Sequence, residues 1–307
     1  MTTARLVAGW AVVVAATVLL AWALAQPALP LTSAAVRAVA DGAAVTVLGL
    51  AAVALLDEQR HRDELIRRAS GPLVVAAAGW LVAELVRLTL GAAEAAGVPL
   101  TALTTHTAWD FATITAAGRS GMFSLVAAAV ICASAMLMRP TSPLRLAVAG
   151  VAGTGIAARA VAGHLAEGTL SAVAVMVHAL AAAWWCGVLA ALVLTVSGRG
   201  QWARVLPRFS RSSLVCVGVL LVGGTASAVA RLAAPADLVA TGYGRILLVK
   251  IAVTALLLAL AWRNRAGWVP AASAHRVSAQ TSRAKSVTEL SIMAVALTLA
   301  AALTVTG

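Results

Sequence analysis

Apolar residues come in long blocks along this chain, each close to the ~20 residues that carry a helix across a bilayer, with short polar segments between them. The blocks predict spans near 5–25, 35–56, 72–96, 113–138, 143–163, 169–195, 211–233, 241–262 and 287–306. Helices follow because each backbone group in lipid must be satisfied within its own segment, and the apolar/polar alternation of a barrel strand is missing. Glycine and proline mark the joints, at Gln26-Pro27, Gly71-Pro72, Pro99, Arg139-Pro140, Pro207, Pro235 and Pro270. The expected fold is all-α, a polytopic transmembrane bundle of about nine helices. It divides into an N-terminal four-helix half (1–142) and a five-helix region (143–307). Arg5, the apolar run and Ala23-Leu24-Ala25 also resemble a signal peptide. The run is longer than a usual signal core, so a retained first helix is expected; cleavage would leave eight.

Composition agrees. The chain is 62% hydrophobic and 11% charged, with mean hydropathy +0.95, against ~45–50% apolar and ~25% charged in soluble domains. The net charge of +12 raises nucleic-acid binding and its distribution dismisses it: the basic residues punctuate the spans and form no continuous stripe. Sixteen of the 23 basic residues fall on one side: Arg5, Arg60, Arg62, Arg67, Arg68, Arg139, Arg145, Arg199, Arg204, Arg208, Arg211, Arg263, Arg265, Arg276, Arg283 and Lys285. The opposite segments 26–34, 97–112, 164–168 and 234–240 contain none. By the positive-inside rule the N-terminus is in and the C-terminus out. Cys132, Cys186 and Cys216 all lie within apolar segments and suggest no disulfide framework.

Ionisable groups at bilayer depth cost ~2.5–3.5 kcal/mol each on insertion scales and need a partner or a purpose. Glu84 and Arg87 are three apart on one face and read as a mutual ion pair, as do Arg37 and Asp41 four apart. Lys250 has no local acid and requires an interhelical acceptor or a watery cavity. His178 lies near the middle of its span. It is either a neutral imidazole hydrogen-bonded between helices or a metal or haem ligand.

The rim where the uncharged loops lie offers His106 with Asp110 and His164 with Glu167, pairs whose spacing suits one helical face and whose chemistry suits capture of a divalent cation. Met122, Cys132, Met136 and Met176 add soft donors deeper in the chain. Met176 and His178 are about 200° apart round a helix, and Cys186 is eight residues, about 12 Å, beyond His178. Cys186 therefore suits a second relay position better than a shared coordination shell. No ATP-binding loop, catalytic triad or two-metal carboxylate cluster is visible, and no enzymatic activity is expected.

From about Gly163 onward the chain resembles the copper resistance D family of bacterial inner-membrane proteins. The likeness rests on Gly163-His164, then His178 followed by Trp184-Trp185-Cys186-Gly187. It continues in Arg208-Phe209-Ser210-Arg211, Asp237-Leu238, Thr241-Gly242-Tyr243-Gly244-Arg245 with Lys250 five residues on, and Glu289 after a basic connector. The first half is similar in outline only, with Asp41 ahead of a glycine-punctuated span as in actinobacterial members. Cys186 stands where the family's first glycine of a pair is expected, which leaves open a thiol ligand or an altered helix contact. The resemblance marks His164, His178, Trp185, Tyr243, Arg245, Lys250 and Glu289 as family-matching positions without saying which touch metal. It implies copper, as Cu(I) or Cu(II), handled at the cytoplasmic membrane. A permease is the leading expectation, with a periplasmic copper-binding protein as partner. Two other readings stay open: a b-type haem redox protein, and a partner delivering copper for oxidase assembly without net transport.

Overall fold

A computed structural model describes residues 3–26, 30–162, 169–231 and 236–306. Among them, nine helices are long and apolar enough to cross a membrane. The elements are α1 (Thr3–Ala25), α2 (Leu31–Ala52), α3 (Gln59–Ala96), α4 (Thr105–Ile114), α5 (Ala116–Leu137), α6 (Ser142–Val161), α7 (Thr169–Thr195), α8 (Arg199–Arg231), α9 (Asp237–Ala240), α10 (Gly242–Arg263), α11 (Val269–Ser273) and α12 (Ala279–Thr306). No strand occurs among the described residues.

Three helices begin well before their apolar runs. α3 opens at Gln59 instead of 72, α8 at Arg199 instead of 211, and α12 at Ala279 instead of 287. The added turns are rich in Arg, Gln, Ala and Glu, which favour helix at the water boundary although hydropathy ignores them. Pro72 and Pro207 therefore lie inside helices, where sequence alone marked joints. The 97–112 segment is also not plain loop, since α4 forms there behind the N-cap Thr104, whose hydroxyl accepts from Thr107 N–H.

α2, α3, α5 and α6 pack as a closed ring, each against the next. Trp80 of α3 is fully buried there, and its ring lies against Gly155 of α6. α7 packs on α2 and α6 and carries α8 and α12 on its other sides; α1 and α10 flank α12. The approach of α7 to α2 is set by glycine. A Cβ on Gly49 would fall 1.8 Å from Gly187 O, and one on Gly187 would fall 2.1 Å from Val45 O. Only backbone fits at that crossing, the small-residue packing by which membrane helices associate.

The end of the bundle that carries the basic loops is tied together by those arginines. Arg204 grips Asp57 through Nε–Oδ1 (2.9 Å) and Nη2–Oδ2 (3.1 Å). Arg208 donates to Leu56 O, Arg68 to Thr195 O and Ser197 Oγ, and Arg145 to Ile66 O and Ser70 Oγ. Leu56 O and Thr195 O are carbonyls at helix C-terminal ends, where a cation satisfies an orphan acceptor and meets the negative end of the helix dipole.

Candidate metal centre

α7 carries the site. Its apolar sequence lets it run through the middle of the bundle, with Val188, Leu189, Ala191 and Leu192 fully buried. His178 lies nine residues from its start. The imidazole packs against the backbone of α8 at Gly223-Gly224: a Cβ on Gly223 would be 3.1 Å from Nδ1, and one on Gly224 3.6 Å from Cε1. Two adjacent glycines thus open the notch that the ring occupies. Nδ1 is buried and has no hydrogen-bond partner. Buried polar atoms are nearly always paired, so an unpaired imidazole nitrogen is a vacant donor–acceptor position aimed into the protein.

Lys250 comes in from α10, eight residues from its start, a depth like that of His178. It lies near enough for its charge to act on the imidazole. No acid pairs with it among the described residues. A positive charge within electrostatic range of the ring opposes the residence of a second cation there, which favours brief over tight binding.

Farther along α7 a second group of polar side chains gathers. Glu289 of α12 is buried and accepts a hydrogen bond from Asn264 Nδ2 at 2.9 Å. The indole N–H of Trp185, itself buried, approaches the same carboxylate without full hydrogen-bond geometry. Asn264 stands in a single π-helical turn (Asn264–Trp268) that continues α10, a local widening that turns its amide toward α12. Cys186 neighbours Glu289, and Cys216 of α8 is also close enough to act on its thiol. Among the described residues, however, no three His, Cys, Asp or Glu side chains converge as a ready-made metal cage.

The remaining expected residues are scattered. His106 and Asp110 form a pair on α4, Nδ1–Oδ2 2.9 Å, with the imidazole 86% exposed. His164 and Glu167 lie outside the described residues. Met176 is half-buried on α7. Cys132 and Met136 touch, Sγ–Sδ 4.0 Å, but Met136 is largely exposed on the outer surface of α5. Tyr243 sits half-buried at the start of α10. Arg245 holds the C-terminal ends of neighbouring helices, donating to Leu24 O of α1 and to Val239 O and Ala240 O of α9. That is a capping role.

Glu84 and Arg87 do pair (Oε1–Nη2 2.5 Å), and Arg37 stands 3.8 Å from Asp41. Arg159 of α6, which the sequence pattern did not single out, joins both acids. Its signal was available: it is a basic residue inside an apolar span, near an uncharged loop, with no acid three or four residues away on its own helix. The Gly223-Gly224 notch was equally visible as a glycine pair within a span.

Fold and site together define a multi-pass helical membrane protein with an unpartnered imidazole in its interior and no preformed cofactor cage among the described residues. Residues 28–172 match the N-terminal domain of copper resistance protein D-like proteins, and residues 203–303 match copper resistance protein D. The chain belongs to the copper resistance D family, and it is a copper-resistance membrane protein. No curated protein and no solved structure matches it.

Proposed function

We propose that the protein is a permease that moves copper across the bacterial cytoplasmic membrane, with His178 as a transient binding station. One observation carries the reading: Nδ1 of His178 is buried and unpartnered in a notch between α7 and α8. Imidazole is a common ligand for copper, and the Lys250 charge at similar depth on α10 would keep residence short, as transport requires. Cys186 offers a soft sulfur donor about 12 Å further along α7 for a second stop, within electrostatic range of the Glu289 carboxylate. The basic loops support an N-in, C-out orientation. The uncharged-loop end, with His106 and Asp110, then faces outward as an entry rim for copper from a periplasmic copper-binding protein. No catalytic step is part of this reading.

Haem ligation by a second imidazole finds little support among the described residues: His106 is exposed on α4, while His61 and His275 belong to the basic-loop end. The test is copper content of the purified protein and copper uptake into proteoliposomes, wild type beside His178→Ala. The expected result is loss of both in the variant. Equal copper and equal uptake in the two proteins would remove His178 from the route, and binding without uptake in the wild type would replace the permease with a delivery partner. A sharp Soret band in the purified protein would overturn the copper reading in favour of haem.

A further inference from the structure

Inside the ring of α2, α3, α5 and α6, toward the uncharged-loop end, three guanidinium groups meet two carboxylates. Arg159 Nη1 lies 3.0 Å from Asp41 Oδ1 and 3.1 Å from Glu84 Oε2. Arg87 holds Glu84 Oε1 through Nε (3.0 Å) and Nη2 (2.5 Å). Arg37 Nε stands 3.8 Å from Asp41 Oδ2. Guanidinium groups remain charged in proteins, so three positive charges face two paired carboxylates. Among the described residues, one positive charge is left over.

Donor capacity is also left over. Arg159 is 7% exposed, yet its Nε, Nη1 and Nη2 all lack a hydrogen bond of good geometry, and so does Arg37 Nε. An uncompensated charge with unfilled donors at this depth is costly unless something neutralises it. Arg37, Arg87 and Arg159 line a cleft of about 40 Å³ together with Ala117, Ser120 and Ala162. Ala117 and Ser120 belong to the first turns of α5, so the positive end of that helix's dipole points the same way as the guanidiniums. The space suits a species little larger than a water molecule.

We propose that this cleft binds a small monovalent anion. The excess charge, the unfilled guanidinium donors and the size of the space specify the same ligand, one negative charge on a compact acceptor. A lipid phosphate carries similar charge, but a space of about 40 Å³ has no room for a headgroup, which favours a compact anion arriving from solution. The site is separate from the His178 notch, and its occupancy is independent of copper.

The test uses the full-length protein in nanodiscs of zwitterionic phosphatidylcholine, in gluconate buffer, titrated with chloride and then nitrate while thermal unfolding is followed. Ser120→Leu fills the cleft and leaves all five charges in place; Arg37→Gln removes the excess charge. The expected result is saturable stabilisation of the wild type, none in Ser120→Leu, and roughly tenfold weaker binding in Arg37→Gln, the loss of one charge-assisted contact. Should Arg37→Gln fail to fold, Ser120→Leu decides alone. No saturable response in the wild type would overturn the proposal, as would an undiminished response in Ser120→Leu. A response that appears only when phosphatidylglycerol is added would also overturn it, by assigning the charge to a headgroup.

Discussion

Gly49 of α2 and Gly187 of α7 meet backbone to backbone, so closely that a Cβ on Gly49 would overlap the Gly187 carbonyl. This crossing joins the N-terminal ring to the helix that carries His178, and it fixes the rotation and depth of α7. Neither residue has a side chain to contribute, so the contact consists entirely of the room each leaves for the other.

Gly49→Val is therefore expected to force the two helices apart. Overpacking of a tight contact typically costs about 1–3 kcal/mol, and here the obstruction is backbone, which cannot rotate away. The expected outcome is a clear fall in the thermal unfolding temperature in detergent. A variant as stable as the wild type would show that the crossing is looser than described.

The His178 notch allows a change that spares the histidine. Gly223→Val places methyl groups where the imidazole now lies, with Nδ1 already 3.1 Å from the first added carbon. Copper retention should fall as it does in His178→Ala while the helices remain folded. Measuring copper per protein alongside far-ultraviolet circular dichroism separates the two effects.

Lys250→Met should act in the opposite direction. Removing the cation that bears on His178 stabilises a bound copper ion, and release should slow by roughly tenfold if the charge contributes ~1.4 kcal/mol. Transfer of copper to a chelator such as bathocuproine, followed by stopped-flow absorbance, reads the rate. Unchanged or faster release would place Lys250 outside the copper path.

The basic-loop end predicts a pH dependence. Burial alone would raise the Asp57 carboxyl, but the Arg204 hydrogen bonds and charge outweigh it and hold the group below its ordinary value of 3.8. A carboxylate depressed in the folded state stabilises fully above its unfolded pKa and loses that contribution as pH falls through the folded value. Stability from this clasp should thus be constant at neutral pH and decline below about pH 4. Asp57→Asn should cost about 1–3 kcal/mol at pH 7, because Arg204 loses its charged acceptor, and should flatten the acid limb of a stability–pH profile. An unchanged acid limb would assign it to other carboxylates.

The amino-acid pattern determined the class of fold outright. Apolar blocks of bilayer length leave no choice but helices, and that inference needs no tertiary contact. The Glu84–Arg87 pair was equally legible, since three-residue spacing on a helix brings the two together whatever surrounds them. Helix ends were less so: α3, α8 and α12 continue into polar sequence because helix propensity, unlike hydropathy, does not stop at the lipid boundary.

What only the tertiary structure decided is which distant residues share a space. Nothing in the chain's periodicity brings Gly223 to His178, Lys250 to the same layer, or Arg159 to the acids of α2 and α3. Those meetings depend on which faces of separate helices turn toward one another, and that is set by shape complementarity at contacts such as Gly49–Gly187. Local spacing fixes neighbours within a helix; packing between helices fixes the site.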